Sequence, residues 1–309
     1  MKIVFFGTSE NSVMLLEGIA PHFEVVEIVT TPDAAAGRKQ TLTPSLVAQF
    51  AAKSELLKKI PLLKPAKLKD PEFISALRSL SADLFIVLSY GKILPKEVIN
   101  LPPLKTINVH PSLLPLYRGA TPMPSALLDG AAVTGNTIIA MDEEMDHGPI
   151  LAQRKVDVGA DETYPELEEK LALDSVSLVL ETVPLYARGE LLPREQDHSR
   201  ATYTSMIKKS DGKIDWNLPA QTIYNRYRAY YRWPGIWTTW NGEILKILGC
   251  RPTPGAHTEH PGTMLANGTV ACGEGTLLEL KTIQRAGKNP TDIESFLRGN
   301  KNFVGAILK

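Results

Sequence analysis

In the first half of the chain, apolar runs of five or six residues alternate with longer stretches of helical spacing, and few architectures accept that pattern. The runs at 2–6, 25–30, 84–88, 106–110 and 137–141 are too short for core helices and rich in Val, Ile, Leu and Phe, so they predict buried strands. Between them, 12–20, 44–52, 71–80 and 122–128 carry helical spacing, and 163–187 predicts a longer amphipathic helix. Strands alternating with helices predict an α/β domain built on a mostly parallel sheet. Asp70 before Pro71, and Thr121 before Pro122, fit an N-cap followed by proline at the first helical position. Open sheets of this kind bind ligands beyond the carboxyl ends of their strands. Gly7, Ser89–Gly91, Asn108–His110 and Asp146 all fall at or just past such ends, so the chemistry is expected on one rim. The first strand–helix turn holds only Gly7, without the Gly-x-Gly-x-x-Gly pattern of dinucleotide sites, which argues against a nicotinamide or flavin reader.

The second half follows another rule. Residues 188–203 break both periods with Gly189, Pro193 and mixed charges, and read as a linker. Beyond it come a helix near 219–231 and short strands at 237–240, 244–248, 262–265, 269–272 and 277–283, with a small helix at 292–297. Asn241-Gly242 and Asn267-Gly268 are hairpin signals, and strands at this spacing predict a small antiparallel barrel. The expected domains are 1–187, a linker at 188–205, and 206–309. A chain of 309 residues can give each its own core. Residues 200–309 hold 15 Lys and Arg against 8 Asp and Glu, although the whole chain balances 34 against 34. The acidic excess therefore lies in the first domain, and a polyanionic partner is expected for the second.

No apolar run is long enough for a membrane span, and the strand-like start at Met1–Gly7 does not resemble a signal peptide. Cys250 and Cys272 lack metal-ligand spacing, so neither a metal nor a disulfide is expected and a reducing, cytoplasmic compartment is.

The most informative stretch is Asn108-Val109-His110-Pro111-Ser112-Leu113-Leu114-Pro115-Leu116-Tyr117-Arg118-Gly119, with Asp146-His147-Gly148 after the next strand. On a strand, Asn108 and His110 point to one face, and Pro111 ends the ladder there. An amide can hold a developing oxyanion, while an imidazole and a carboxylate can manage protons. Asn-x-His alone at a strand end is weak, because a buried histidine is more often simply hydrogen-bonded. The long tail and the later Asp146 make the combination specific.

These residues resemble the signature of folate-dependent formyltransferases. Phe6-Gly7-Thr8, Pro32-Asp33, Gly37-Arg38, Tyr90-Gly91 and Ile93-Leu94-Pro95 extend the resemblance. Lys213-Ile214-Asp215-Trp216 and Trp233-Pro234 with Trp237 narrow it to the members that act on methionyl-tRNA. The resemblance implies a Rossmann-like first domain and an OB-like second one. It implies 10-formyltetrahydrofolate as donor and the α-amino group of initiator methionyl-tRNA as acceptor; the chain is expected to be a monomer. Asn108 then serves as oxyanion donor, His110 as polariser and proton carrier, and Asp146 as the group that orients His110 or an ordered water and relays the amine's proton. Tyr90, Gly91, Ile93 and Leu94 are expected along the donor's ring. Ser112, Leu113, Leu114 and Pro115 are counted with them, Ser112 chiefly as the residue that holds its loop. Arg38 and Lys39, on the loop 32–44, are expected at the tRNA acceptor end, and Lys208, Lys209 and Lys213 on its phosphates. Lys and Arg interleaved with Trp216, Tyr224, Tyr227, Tyr230, Tyr231 and Trp233 suit RNA contact, whereas Trp233-Pro234 and Trp237 read as structural. Gly7-Thr8-Ser9-Glu10-Asn11-Ser12 departs from the family's commoner Gly-Thr-Pro-x-Phe-Ala, and the lysine-rich 54–69 departs too. Formyl transfer to an amino sugar nucleotide would use the same trio. A nucleic-acid-binding module with a degenerate α/β domain is disfavoured by the intact trio.

Overall fold

The computed structural model describes residues 1–36 and 40–309, in two compact units. The first comprises Met1–Pro122, Val133–Asp157 and Glu168–Thr204; the second comprises Met123–Ala132, Val158–Leu167 and Ser205–Lys309. In chain order the elements begin β1 (Lys2–Gly7), α1 (Glu10–Ile19), β2 (Glu24–Val29), β3 (Ala34–Ala36), β4 (Thr41–Thr43), α2 (Leu46–Ala51) and β5 (Leu62–Leu63). They continue with α3 (Pro71–Ser79), β6 (Leu84–Leu88), α4 (Lys96–Ile99), β7 (Thr106–His110), α5 (Pro122–Leu128), β8 (Val133–Ala140), β9 (Ile150–Asp157) and α6 (Tyr164–Ala187).

Seven strands of the first unit form one sheet in the order β5-β2-β1-β6-β7-β8-β9. Pairing is parallel from β5 to β7 and antiparallel across β7–β8 and β8–β9. The mostly parallel α/β sheet is as expected, but three details differ. The strand expected at 137–141 starts at Val133, the short β5 was not foreseen, and neither was β9. Its outer stretch alternates exposed and half-buried residues and carries Gln153, Arg154 and Lys155, as an edge strand guarded by charge does. One face of the sheet buries Ile3, Phe5, Ile28 and Ile86 with Leu15, Leu16 and Ile19 of α1 and Val179 and Val183 of α6. The other buries Val4, Phe6, Phe85 and Val87 with Phe73 and Leu77 of α3 and Val98 of α4. Each such side chain contributes about 1.5–3 kcal/mol. Asp70 caps α3 by accepting from Glu72 N at 3.1 Å, with Pro71 at the first helical position. One polar group interrupts the core. Glu27 on β2 is 5% exposed, its Oε1 has no hydrogen-bond partner among the described residues, and burial pushes its carboxyl up to about 7.

Residues 188–204, expected as a linker, count with the first unit. Arg194 pairs with Ile150 through two backbone hydrogen bonds of 2.7 and 2.8 Å.

In the second unit the elements are α7 (Ala220–Ala229), β10 (Ile236–Trp240), β11 (Glu243–Thr253), β12 (Thr269–Ala271), β13 (Leu277–Arg285), β14 (Thr291–Asp292) and α8 (Ile293–Gly299). They build an antiparallel sheet in the order β10-β11-β13-β12, with β14 on β13. Asn241 and Gly242, at φ 51° and 79°, make the hairpin turn between β10 and β11. Trp240, Phe296 and Phe303 pack edge to face at 4.9–5.7 Å. No strand forms at 262–265. Thr263 and Met264 make only isolated bridges, because Pro261 and Gly262 (φ 91°) turn the chain there.

Candidate active site

The carboxyl ends of β1, β6 and β7 form the rim of the first unit's sheet. Gly7 ends β1 so close to α1 that a Cβ there would meet Ser12 Cβ at 2.6 Å. Ser12 Oγ can therefore donate to Leu88 O at 2.6 Å and tie α1 to the end of β6. Thr8 Oγ1 donates to Tyr90 O at 2.9 Å, and Asn11 Nδ2 to Ser89 Oγ at 3.2 Å. The departure at 8–12 is thus a polar network across the rim.

From β7, Asn108 Nδ2 donates to Asp146 Oδ1 at 3.2 Å, and His110 Nδ1 lies 3.5 Å from the same oxygen. His110 Nε2 sits 2.9 Å from Tyr117 O, so that nitrogen carries a proton toward the carbonyl. A proton on Nδ1 would face the carboxylate. The backbone N–H of Gly119 donates to Asp146 Oδ2 at 2.8 Å. The side chains of His110 and Asp146 are 4% and 12% exposed, so both are held in a desolvated pocket. Asp146 itself is in the left-handed region at φ 53°, a conformation that Asp tolerates better than most residues. The structure thus brings an amide, an imidazole and a carboxylate together at one strand end.

The loop after β7 is fixed from within. Ser112 is fully buried and its Oγ donates to Leu116 O at 2.6 Å, while Thr137 Oγ1 donates to Ser112 O at 2.6 Å. Leu114 N donates to Thr137 Oγ1 at 3.1 Å, and its side chain packs with Ile139 and Ile150. Leu113 and Pro115 are half-buried. The Ser112 hydroxyl is therefore occupied by its own loop.

Tyr90 points into the core, edge-on to Phe6 at 5.4 Å, and burial pushes its phenol up to about 12. Its side chain forms part of the sheet's packing, leaving its backbone to face the rim. Gly91 (φ 80°) and Ile93 are exposed, Ile93 by 84%, and Leu94 is buried. A cleft of about 530 Å³ opens between Leu68, Lys69 and residues 92–96. Lys92 Nζ donates to Pro65 O at 2.9 Å, so this lysine braces one wall. Arg38 and Lys39 lie outside the described residues.

Several residues around the trio were not foreseen: Gln196, His198, Thr202 and Thr204. Arg118, 1% exposed, donates from Nη2 to Gln196 Oε1 at 2.7 Å. Gln196 Nε2 donates in turn to Asp146 O at 2.9 Å and Gly148 O at 2.7 Å. No local spacing signals such contacts. The available clue was Arg118 itself, since a buried guanidinium needs acceptors. Among the described residues, no three His, Cys, Asp or Glu side chains converge as a metal site requires.

In the second unit the basic and aromatic residues divide. Lys208, Lys209 and Lys213 are exposed. Arg228 is buried and donates to Asn225 Oδ1 at 2.8 Å and to the carbonyls of Gly159 and Glu162 at 3.3 Å. Tyr224 is buried with its hydroxyl donating to Asp161 Oδ1 at 2.8 Å, and Trp216 Nε1 donates to Thr238 Oγ1 at 3.0 Å. These three are architecture. Trp233, expected as structural, is 55% exposed, and Tyr231 is 50% exposed. Trp237 is half-buried.

Residues 1–183 match the family model "Formyl transferase" and 206–301 match "Formyl transferase, C-terminal domain". The methionyl-tRNA formyltransferase of Chloroflexus aggregans is 42% identical over 304 residues, covering 97% of both chains. That of Clostridium novyi is 37% identical over 314 residues, covering 100% of both. Among solved structures, a sugar 3N-formyl transferase superposes with a TM-score of 0.67 at 19% identity, over 94% of this chain and 99% of that one. HypX from Aquifex aeolicus in complex with tetrahydrofolic acid gives a TM-score of 0.61 at 17% identity, over 98% of this chain and 47% of that one. At these identities the structural likeness speaks for the fold alone.

Proposed function

The chain belongs to the formyl transferase family, and from that membership we propose that it transfers the formyl group of 10-formyltetrahydrofolate to the α-amino group of methionine on initiator tRNA, for translation initiation. The observation that carries the acceptor is likeness to methionyl-tRNA formyltransferases at 37–42% identity through both units, including the basic second one. The geometry of Asn108, His110 and Asp146 supports the chemistry.

The ammonium gives up one proton, the amine attacks the formyl carbon and the carbonyl oxygen gains negative charge. The C–N bond to the folate then breaks as that nitrogen takes the second proton, which the new formamide nitrogen gives up. Asn108 has two amide N–H groups. One holds Asp146 and the other is available to the oxyanion, which makes Asn108 a donor aimed where charge develops. Asp146 takes the proton of the attacking ammonium. His110, anchored by the Tyr117 carbonyl with its Nδ1 toward Asp146, is the second polariser and the proton carrier to the leaving nitrogen. The backbone of residues 90–94 receives the ring of the donor, with the loop 112–115 as the opposite support. Arg38 and Lys39 steady the acceptor end, and Lys208, Lys209 and Lys213 neutralise phosphates farther along the tRNA. The enzyme works without a metal, as a monomer, in the cytoplasm.

The test is acceptor-dependent release of tetrahydrofolate from 10-formyltetrahydrofolate. Charged initiator tRNA should support turnover and amino sugar nucleotides should not. Turnover with an amino sugar nucleotide alone would replace this reading.

A further inference from the structure

The segment 196–204 holds the two backbone groups that orient the catalytic pair. Thr202 Oγ1 accepts from Tyr117 N at 2.8 Å, Thr202 O from Arg118 N at 2.8 Å, and Thr204 Oγ1 from Thr121 N at 3.1 Å. Thr204 N donates to Arg118 O at 2.8 Å. Gly119 is closed in as well: a Cβ there would stand 2.8 Å from Thr204 Oγ1. Residues 117–121 are thus pinned at both ends. Between those pins lie the Tyr117 carbonyl that fixes the ring of His110 and the Gly119 N–H that fixes the carboxylate of Asp146.

A second set of contacts reaches Asp146 from the other side. Gln196, 5% exposed, uses its Nε2 on the carbonyls of Asp146 and Gly148 and its Oε1 on Arg118. The same Nη2 of Arg118 lies 2.8 Å from His198 Nδ1. A guanidinium only donates, so His198 Nδ1 is an acceptor and its ring proton sits on Nε2. The His198 ring lies flat on His147, with centroids 4.0 Å apart and planes 2° apart. His147, next to Asp146 in the chain, has its Nδ1 2.7 Å from Asp142 Oδ2. The left-handed turn at Asp146 is therefore gripped by Gln196 at its carbonyl and by the imidazole stack at its neighbour.

We propose that residues 196–204 form a positioning strap, in which Gln196 and His198, through Arg118 and His147, hold Asp146 against Asn108 and His110. Both are positioning residues, since neither touches the reacting atoms. The inference rests on the proposed formyl transfer only for its readout.

The decisive variant is Gln196→Glu. A carboxylate still accepts from Arg118, so the buried guanidinium stays partnered. It cannot donate to the carbonyls of Asp146 and Gly148, so the turn loses its grip while the strap keeps its anchor. The expected result is a kcat about 10- to 100-fold lower, since displacement on the order of 1 Å costs that much. KM for both substrates should stay within about threefold, and the melting temperature should shift by less than about 4 °C. An unchanged kcat, or a loss of kcat that only follows a fall in melting temperature, overturns the proposal. Should that variant fail to fold, a pair at His198 decides. His198→Asn keeps an acceptor for Arg118 and should stay within about threefold of wild-type kcat, whereas His198→Leu should lose about tenfold. Equal rates in the pair overturn the role of His198. Ratios are read on whichever acceptor the wild type formylates, so an error in the acceptor leaves this test intact.

Discussion

Charged groups in the two units are used in opposite ways. On the rim of the first unit, His110, Asp146 and Arg118 are buried or nearly so, and each of the three is held by a named neighbour within 3.5 Å. In the second unit Lys208, Lys209 and Lys213 stand in solvent, while the basic residue that is buried, Arg228, serves its own unit's packing. Chemistry requires fixed geometry, and attraction to a polyanion requires only charge at the surface. Substitutions in the first unit should therefore act on rate in steps, and those on the second unit's surface should act on affinity by degrees.

The largest effect that could break this contrast is expected at Asn108. Asn108→Ala should lower turnover about 10²- to 10³-fold with donor binding largely kept. His110→Ala and Asp146→Ala should also depress it, and the double variants should fall well short of the product of the singles. Steady-state kinetics with both substrates varied checks this. Near-normal rates in all three would remove the trio.

Glu27 tests whether burial in the first unit always serves the site. Its carboxyl is raised from an ordinary 4.5 to about 7 by burial, so folding favours the protonated form. Below about pH 4.5 it costs nothing. Stability is lost as pH rises through about 7, by on the order of 3 kcal/mol. Glu27→Gln should thus raise the melting temperature at pH 8 and leave it alone at pH 4.5. A variant equally or less stable at pH 8 contradicts the assignment.

A smaller effect sharpens the division within the second unit. Arg228→Met strips a donor from Asn225, Gly159 and Glu162 and should destabilise by about 2 kcal/mol in denaturant titration. Lys209→Met should change stability by no more than about 0.5 kcal/mol. Comparable losses would mean that the exposed lysine also supports the fold. The smallest expected effect is that of a chelator, which should leave turnover unchanged. Loss restored by one divalent ion would overturn the metal-free mechanism.

The strands that carry the site were readable because β1 and β6 are apolar runs at the centre of a covered sheet and β7 sets Ile107 and Val109 between the polar residues of the site. β9 was not, because an edge strand with Gln153, Arg154 and Lys155 has neither an apolar run nor strict alternation. Asn108, His110 and Asp146 could be singled out since strand geometry and a known signature agree on them. Gln196, His198, Thr202 and Thr204 could not. Their partners lie 48 to 86 residues away in sequence, and their own stretch has the composition of a linker. Helical spacing in α7 likewise could not say which side faces inward. The structure buries Tyr224 and Arg228 there, and past the helix end leaves Trp233 exposed.

The central claim is that the first unit supplies rate and the second supplies hold. It is tested most directly by single-turnover formylation of methionyl-tRNA across a salt series, comparing wild type, Asn108→Ala and a variant neutralised at Lys208, Lys209 and Lys213. The triple variant should reach the wild-type rate at saturating tRNA, with the slope of log affinity against log salt shallower by about 2 to 3. Asn108→Ala should keep the wild-type slope and lose the rate. A triple variant whose saturated rate falls as far as that of Asn108→Ala, with its salt slope unchanged, would contradict the account.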